Sequence, residues 1–164
     1  MTSFVEQGDQ NEINLKATIA KSLNLKENEL IPTDKYCIYD FIYKPTDLFK
    51  DTIIVELKSR SYGSDCFDDL YISKHKYNEL CKLALGGDTL MRRKVYLYYA
   101  FKRNDSYCIY RYKFNNNSMT DIKLKSNGSP ITSKYVHKHC LNKWGKPLVI
   151  INYLLPIKHF VQLR

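Results

Sequence analysis

Acidic residues almost disappear from this chain after position 70. Residues 71–164 hold 4 Asp/Glu against 18 Lys/Arg, a net of +14, whereas residues 1–70 hold 13 acids against 8 bases, a net of −5. Several familiar catalytic patterns are missing as well. There is no Walker loop, no G-x-G-x-x-G and no Ser/His/Asp arrangement, which argues against P-loop nucleotide hydrolysis, dinucleotide-dependent redox chemistry and triad hydrolysis. No apolar stretch reaches the ~18 residues that a membrane span needs, so no membrane partner is expected. The start, Met1-Thr-Ser-Phe-Val-Glu, has neither the basic beginning nor the apolar stretch of a secretory signal. The five cysteines (Cys37, Cys66, Cys81, Cys108, Cys140) are odd in number and form no C-x-x-C pair. Reduced, partly buried thiols in an intracellular protein, cytoplasmic or nuclear, are the expectation.

What remains describes a folded globule. With 164 residues, 44% hydrophobic and 13% aromatic, the chain is long enough to bury a real core and has the length of one domain. It has no internal repeat or long linker, so we read a single domain over 1–164, with a core over about 10–114 and a basic C-terminal extension over about 115–164. The charge asymmetry fits a polyanion-binding surface beside a site that collects cations. Lysine supplies 20 of the 26 basic residues, and a compositional bias accounts for that abundance. It does not account for the loss of acids.

Local patterns predict a helix over Asn11–Leu23, with Leu15, Ile19 and Leu23 on one side and Asn11 or Asp9 able to cap it. A polar loop around Lys26–Asp34 leads to a strand over Tyr36–Tyr43. A second strand over Thr52–Lys58 should run antiparallel to it. Ser59–Tyr71 reads as a mobile loop. Ser73 can cap a helix to Leu85, closed by Gly86-Gly87, with Tyr77, Leu80, Cys81 and Ala84 inward and Lys74 on the same side. Strands follow over Val95–Phe101 and Tyr107–Phe114 around a tight polar turn at Arg103–Ser106, and a late strand over Leu148–Leu155. The order implies an α/β fold, an α+β sandwich with a mixed central β-sheet flanked by helices.

The chemistry concentrates in Ile53-Ile-Val-Glu-Leu-Lys58. Positions two apart on a strand face the same way, so Glu56 and Lys58 share one face and Ile53, Val55 and Leu57 the other. A carboxylate and an ammonium on an interior strand are costly unless something compensates them. The preceding strand carries one acid, Asp40. Two carboxylates can hold Mg²⁺, a hard cation that prefers oxygen ligands, with Mn²⁺ able to substitute. The main-chain carbonyl of Leu57 is a natural additional ligand. An adjacent lysine can orient or deprotonate an attacking water, or stabilise a pentacovalent phosphate, which is what phosphodiester hydrolysis requires. An ordinary Glu56–Lys58 pair on a half-exposed edge strand is the alternative.

A helix, a strand with Asp40, a strand with Glu56-Leu-Lys58 and a helix with Lys74 resemble the PD-(D/E)XK nuclease superfamily, over roughly residues 10–101. The layout is most similar to its small single-domain members, such as archaeal-type Holliday junction resolvases and phage-like or homing endonucleases. The resemblance implies a restriction-endonuclease-like core and an endodeoxyribonuclease. It also implies Asp40 and Glu56 as metal ligands with the Leu57 carbonyl, and Lys58 as the catalytic lysine. Tyr39 stands where the family motif has proline. Many members add an early glutamate on the first helix; Glu12 is the candidate here, with Glu6 behind it. Lys74 matches a polar helix residue that often faces the site. Cutting both strands would require two sites, so a homodimer is expected.

For nucleic-acid contacts we name Arg60, which shares the face of Lys58, and Arg92, Arg93, Arg103, Lys134, Lys138 and Lys143, which lie among aromatics in the basic half. Lysine and arginine neutralise phosphates, and no base-reading helix stands out, so contacts to backbone and shape are expected. A non-catalytic nucleic-acid-binding module is the rival reading. His137-Lys-His139-Cys140 lacks the second ligand pair of a structural zinc site. His75 is isolated, Asp68-Asp69 reads as loop decoration, and Trp144 as a packing residue.

Overall fold

The structure, a computed structural model, describes residues 4–34, 36–47, 49–60, 69–85, 93–103, 106–115, 122–126 and 151–163. The side chains of 4–12, 69, 71, 103 and 124–126 fall outside that description. The first helix, α1 (Phe4–Ser22), begins earlier than its apolar spacing predicts. Its buried side is Leu15, Ile19 and Ala20. It stops at Asn24, whose φ of 58° is left-handed. Leu25 N–H reaches back to Ala20 O (2.9 Å) and Asn24 N–H to Lys21 O (3.1 Å), the paired bonds that close a helix around a left-handed residue.

Among the described residues nine strands follow: β1 (Ile31–Pro32), β2 (Phe41–Tyr43), β3 (Thr52–Arg60), β4 (Asp69–Ser73), β5 (Arg93–Arg103), β6 (Ser106–Phe114), β7 (Lys123–Ser126), β8 (Ile151–Pro156) and β9 (Val161–Gln162), with α2 (Lys74–Leu85) between β4 and β5. Six form one mixed sheet in the order β1-β2-β3-β5-β6-β9, and three form a second in the order β4-β8-β7. β2 and β3 are antiparallel, as predicted, whereas β3 and β5 are parallel from Thr52↔Arg93 to Arg60↔Phe101. Parallel neighbours need a crossover, and here it includes β4 and α2. The fold is therefore an α+β sandwich around a mixed sheet, as the element order implied.

The large sheet buries both faces. Val55, Leu57, Tyr96, Tyr98 and Ala100 pack with Leu15, Ile19 and Ala20 of α1. Ile54, Val95, Leu97, Tyr99 and Phe101 pack with Tyr77 and Leu80 of α2 and with Leu70, Ile72 and Leu155 of the small sheet. Alternation along β3 thus sends odd positions toward α1 and even positions toward α2.

Three local expectations are corrected. The strand predicted over Tyr36–Tyr43 is only Phe41–Tyr43. Upstream, Asp34 folds the chain on itself, its carboxylate accepting from Tyr36 N–H (3.1 Å) and its carbonyl from Cys37 N–H (2.9 Å), the competition that Asp offers to strand formation. The predicted polar loop at Lys26–Asp34 contains a 3₁₀ turn, Glu27–Glu29, and β1. The loop expected over Ser59–Tyr71 includes the end of β3 and the start of β4; residues 61–68 within it lie outside the described residues, as do Gly86-Gly87. β3, β5 and β6 exceed their expected spans, with Arg103 pairing Ser106, and the late strand is described over Ile151–Pro156. Residues 148–150 of the late strand also lie outside the described residues.

Candidate active site

β3 lies between β2 and β5, so Glu56 is not on an edge strand. Only 1% of its surface is exposed, and it is the one charged residue among the buried side chains described. Being an even position, it points to the α2 side, beside Leu97 of β5, while Lys58 lies beside Tyr99. A carboxylate placed there must be compensated or neutralised. Two ammonium groups do so: Lys76 Nζ donates to Glu56 Oε1 at 2.6 Å, and Lys58 Nζ lies 3.2 Å from the same oxygen. The other oxygen, Oε2, is buried without a hydrogen-bond partner among the described residues.

The two lysines arrive differently. Lys58 follows from the strand period. Lys76 is set by the start of α2, where Ser73 Oγ accepts from Lys76 N–H (3.2 Å) and caps the first turn. That turn, Lys74-His75-Lys76, holds no acid, although positive charge there opposes the helix dipole. Glu56 supplies the compensation from the neighbouring sheet. About a quarter of each lysine side chain stays exposed, 25% for Lys58 and 24% for Lys76. Burial nevertheless holds the Lys58 ammonium below the usual lysine range; Glu56 pulls the other way, and Lys76 and Arg60 add to the depression.

Asp40 is tied to the same stretch of β3. Its N–H donates to Val55 O (2.9 Å), and its carboxylate Oδ2 accepts from Leu57 N–H (2.7 Å). An acid side chain thus satisfies a main-chain donor just before β2 begins. It does so at the residue next to Glu56. The turn that delivers it is pinned by Thr33, whose N–H donates to Asp40 O (2.9 Å) and whose hydroxyl donates to Tyr39 O.

The other predicted residues divide. Arg60 continues the row of Glu56 and Lys58, with its guanidinium 5.6 Å from the centre of the Tyr99 ring and a bond to Ser59 O. Lys74 is exposed, and α2 brings Lys76 to the carboxylate instead. The apolar face identifies the buried side of the helix but not which flank borders β3. Spacing does not decide it, since Lys74 is three residues before buried Tyr77 and Lys76 four before buried Leu80. Arg93 donates to Leu83 O (3.4 Å). Arg111, within a basic-aromatic stretch, is used internally: it lies 5.4 Å from the Tyr96 ring centre and donates to Ser22 O at the end of α1. Glu12 and Glu6 lie on α1 and Arg103 on β5, with side chains outside the description; Arg92, Asp68, Lys134, Lys138, Lys143, the His137–Cys140 cluster and Trp144 lie outside the described residues. His75 is exposed. Cys37, Cys81 and Cys108 are free, half-buried thiols.

Among the described residues no three His, Cys, Asp or Glu side chains converge as a metal-holding group. The carboxylates in question are two, Asp40 and Glu56. Their carboxylate oxygens are hard donors, the type that a divalent cation such as Mg²⁺ or Mn²⁺ prefers, and Glu56 Oε2 is buried without a hydrogen-bond partner among the described residues. No helix of the described residues is long and apolar enough to cross a membrane. No family model, curated protein or solved structure matches the chain.

Proposed function

We propose that this chain is a Mg²⁺-dependent nuclease of the PD-(D/E)XK type, an endonuclease that hydrolyses phosphodiester bonds in DNA, acting as a homodimer. One observation carries the reading: a carboxylate buried in an interior strand, with one oxygen held by lysines and the other unpartnered among the described residues, and a second carboxylate bonded to the main-chain N–H of the following residue. A structural ion pair needs no unpartnered buried oxygen and no second acid. The succession of α1, the antiparallel pair with Asp40 and Glu56-Leu-Lys58, the crossover helix and a parallel strand also supports it.

Asp40, Glu56 and the Leu57 carbonyl would hold the cation, which supplies charge neutralisation at the phosphate and a more acidic bound water. Lys58 then has a defined task. Its lowered proton affinity makes a neutral amine more accessible than in an ordinary lysine, so it can take a proton from the attacking water. When protonated, it offers its charge to the phosphate oxygens. Arg60, two residues along the same face, neutralises a neighbouring phosphate.

The test is cleavage by the purified protein with Mg²⁺ or Mn²⁺, beside its Lys58→Ala variant. The nuclease loses cleavage in the variant and keeps DNA binding. A protein that binds DNA but cleaves nothing with either metal is a non-catalytic module instead.

A further inference from the structure

Proton transfer and metal holding leave Lys76 without a task, although it makes the shortest contact in the site. Its Nζ lies 2.6 Å from Glu56 Oε1, against 3.2 Å for Lys58. It comes from a different element, at a helix start where a positive charge is disfavoured. Lys58 and Lys76 meet at a single oxygen of a buried carboxylate, so two ammoniums share one carboxylate oxygen. A divalent cation held by that carboxylate comes within a few Å of both ammoniums, and like charges at that distance in a partly buried site repel strongly. Each lysine keeps about a quarter of its side chain exposed, 25% for Lys58 and 24% for Lys76. Lys58 has the proton-transfer task of the proposed function, whereas Lys76 has none and reaches the carboxylate from a helix on a flexible stem.

We infer that Lys76 is an electrostatic latch on Glu56, competing with the divalent cation for the carboxylate and swinging outward when the cation binds. This makes Lys76 a positioning residue. It keeps the buried carboxylate compensated and in place, and it sets how tightly the site takes a metal. The inference rests on the reading of Glu56 as a cation ligand, and its readout does not require cleavage.

The experiment is a calorimetric Mn²⁺ titration of the wild-type protein, Lys76→Met, Lys76→Arg and Glu56→Gln, each confirmed folded by circular dichroism. Lys76→Met removes the competing charge while keeping the apolar stem, so it should bind Mn²⁺ roughly tenfold more tightly than wild type. Lys76→Arg keeps the charge and should show no such gain, and Glu56→Gln should lose the binding. A second measurement needs no variant: reductive methylation of wild-type lysines, read by mass spectrometry, should label Lys76 faster when Mn²⁺ is saturating. An unchanged or weaker Mn²⁺ affinity in Lys76→Met, or unchanged labelling of Lys76 with Mn²⁺, overturns the latch. If no form binds Mn²⁺ at Glu56, the latch and the metal reading fall together. If Lys76→Met binds more tightly but no form cleaves nucleic acid, the latch stands and the nuclease reading falls.

Discussion

Lys76 Nζ approaches Glu56 Oε1 more closely than Lys58 Nζ does, 2.6 Å against 3.2 Å, although Lys58 is two positions away on the same strand and Lys76 is on another element. The long-range contact joins α2 to the centre of the large sheet at the one buried charge described there. Functional consequences of the site therefore depend on helix packing as much as on the strand motif.

Glu56→Gln keeps the shape of the side chain and removes its charge. The two lysines, each about a quarter exposed, can turn to water, so thermal unfolding should shift by no more than about 1 kcal/mol. Metal-dependent cleavage should fall by about 10²-fold or more. A large stability loss with intact cleavage, measured on the same preparation, would assign Glu56 a purely structural role.

The proposed function gives Asp40 a metal-holding duty beside its observed bond to the main chain. Asp40→Ala removes the acceptor from Leu57 N–H and should cost about 1–3 kcal/mol of stability, read by chemical denaturation. Asp40→Asn keeps an acceptor oxygen and should preserve stability, yet weaken Mn²⁺ binding severely. If both variants bind Mn²⁺ as the wild type does, Asp40 serves only the strand.

Lys58 makes the pH dependence directional. Its folded-state pKa is depressed from 10.5, chiefly by burial, so the unfolded chain binds its proton more tightly. Stability contributed by this group should rise with pH between the depressed value and about 10.5. If the neutral amine is the base, the cleavage rate should rise through the same depressed pKa and then level off. Lys58→Met should flatten the stability limb and abolish the activity one.

The tyrosines set the opposite trend at high pH. Burial raises the hydroxyl pKa of Tyr39, Tyr77, Tyr98 and Tyr112, with Tyr112 and Cys81 adding to the effect at Tyr77. The folded state favours their neutral form, so the stability they contribute is full below about 10 and lost as pH rises beyond it. Spectroscopic titration should show a tyrosine fraction that ionises only as circular dichroism reports unfolding. Complete ionisation of the folded protein at the ordinary tyrosine pKa would contradict this packing.

Much of the fold was legible because its signals are local. The apolar run of β3, the spacing of Leu15 and Ile19, and Ser73 before a helical pattern each encode their own element. The second sheet was not, because β4 pairs with β8 more than seventy residues later, and short apolar stretches carry no record of such distant partners. The span Tyr36–Tyr43 departs from its strand pattern for the converse reason: the side chain of Asp34 bends a stretch whose residues favour strand. Within the site, the strand period places Glu56 and Lys58 together. The choice of Lys76 over Lys74 depends on which flank of α2 packs toward β3, a tertiary fact that helical periodicity leaves open.

The most direct test of the central claim is a cleavage panel over duplex, single-stranded, flap and four-way-junction DNA and RNA, with Mg²⁺, Mn²⁺ or chelator, comparing wild type with Lys58→Ala. The account predicts metal-dependent cleavage of at least one DNA substrate by the wild type, abolished by chelator and by Lys58→Ala, with DNA binding retained in the variant. Absence of cleavage on every substrate with both metals, or cleavage unaffected by Lys58→Ala, would contradict it.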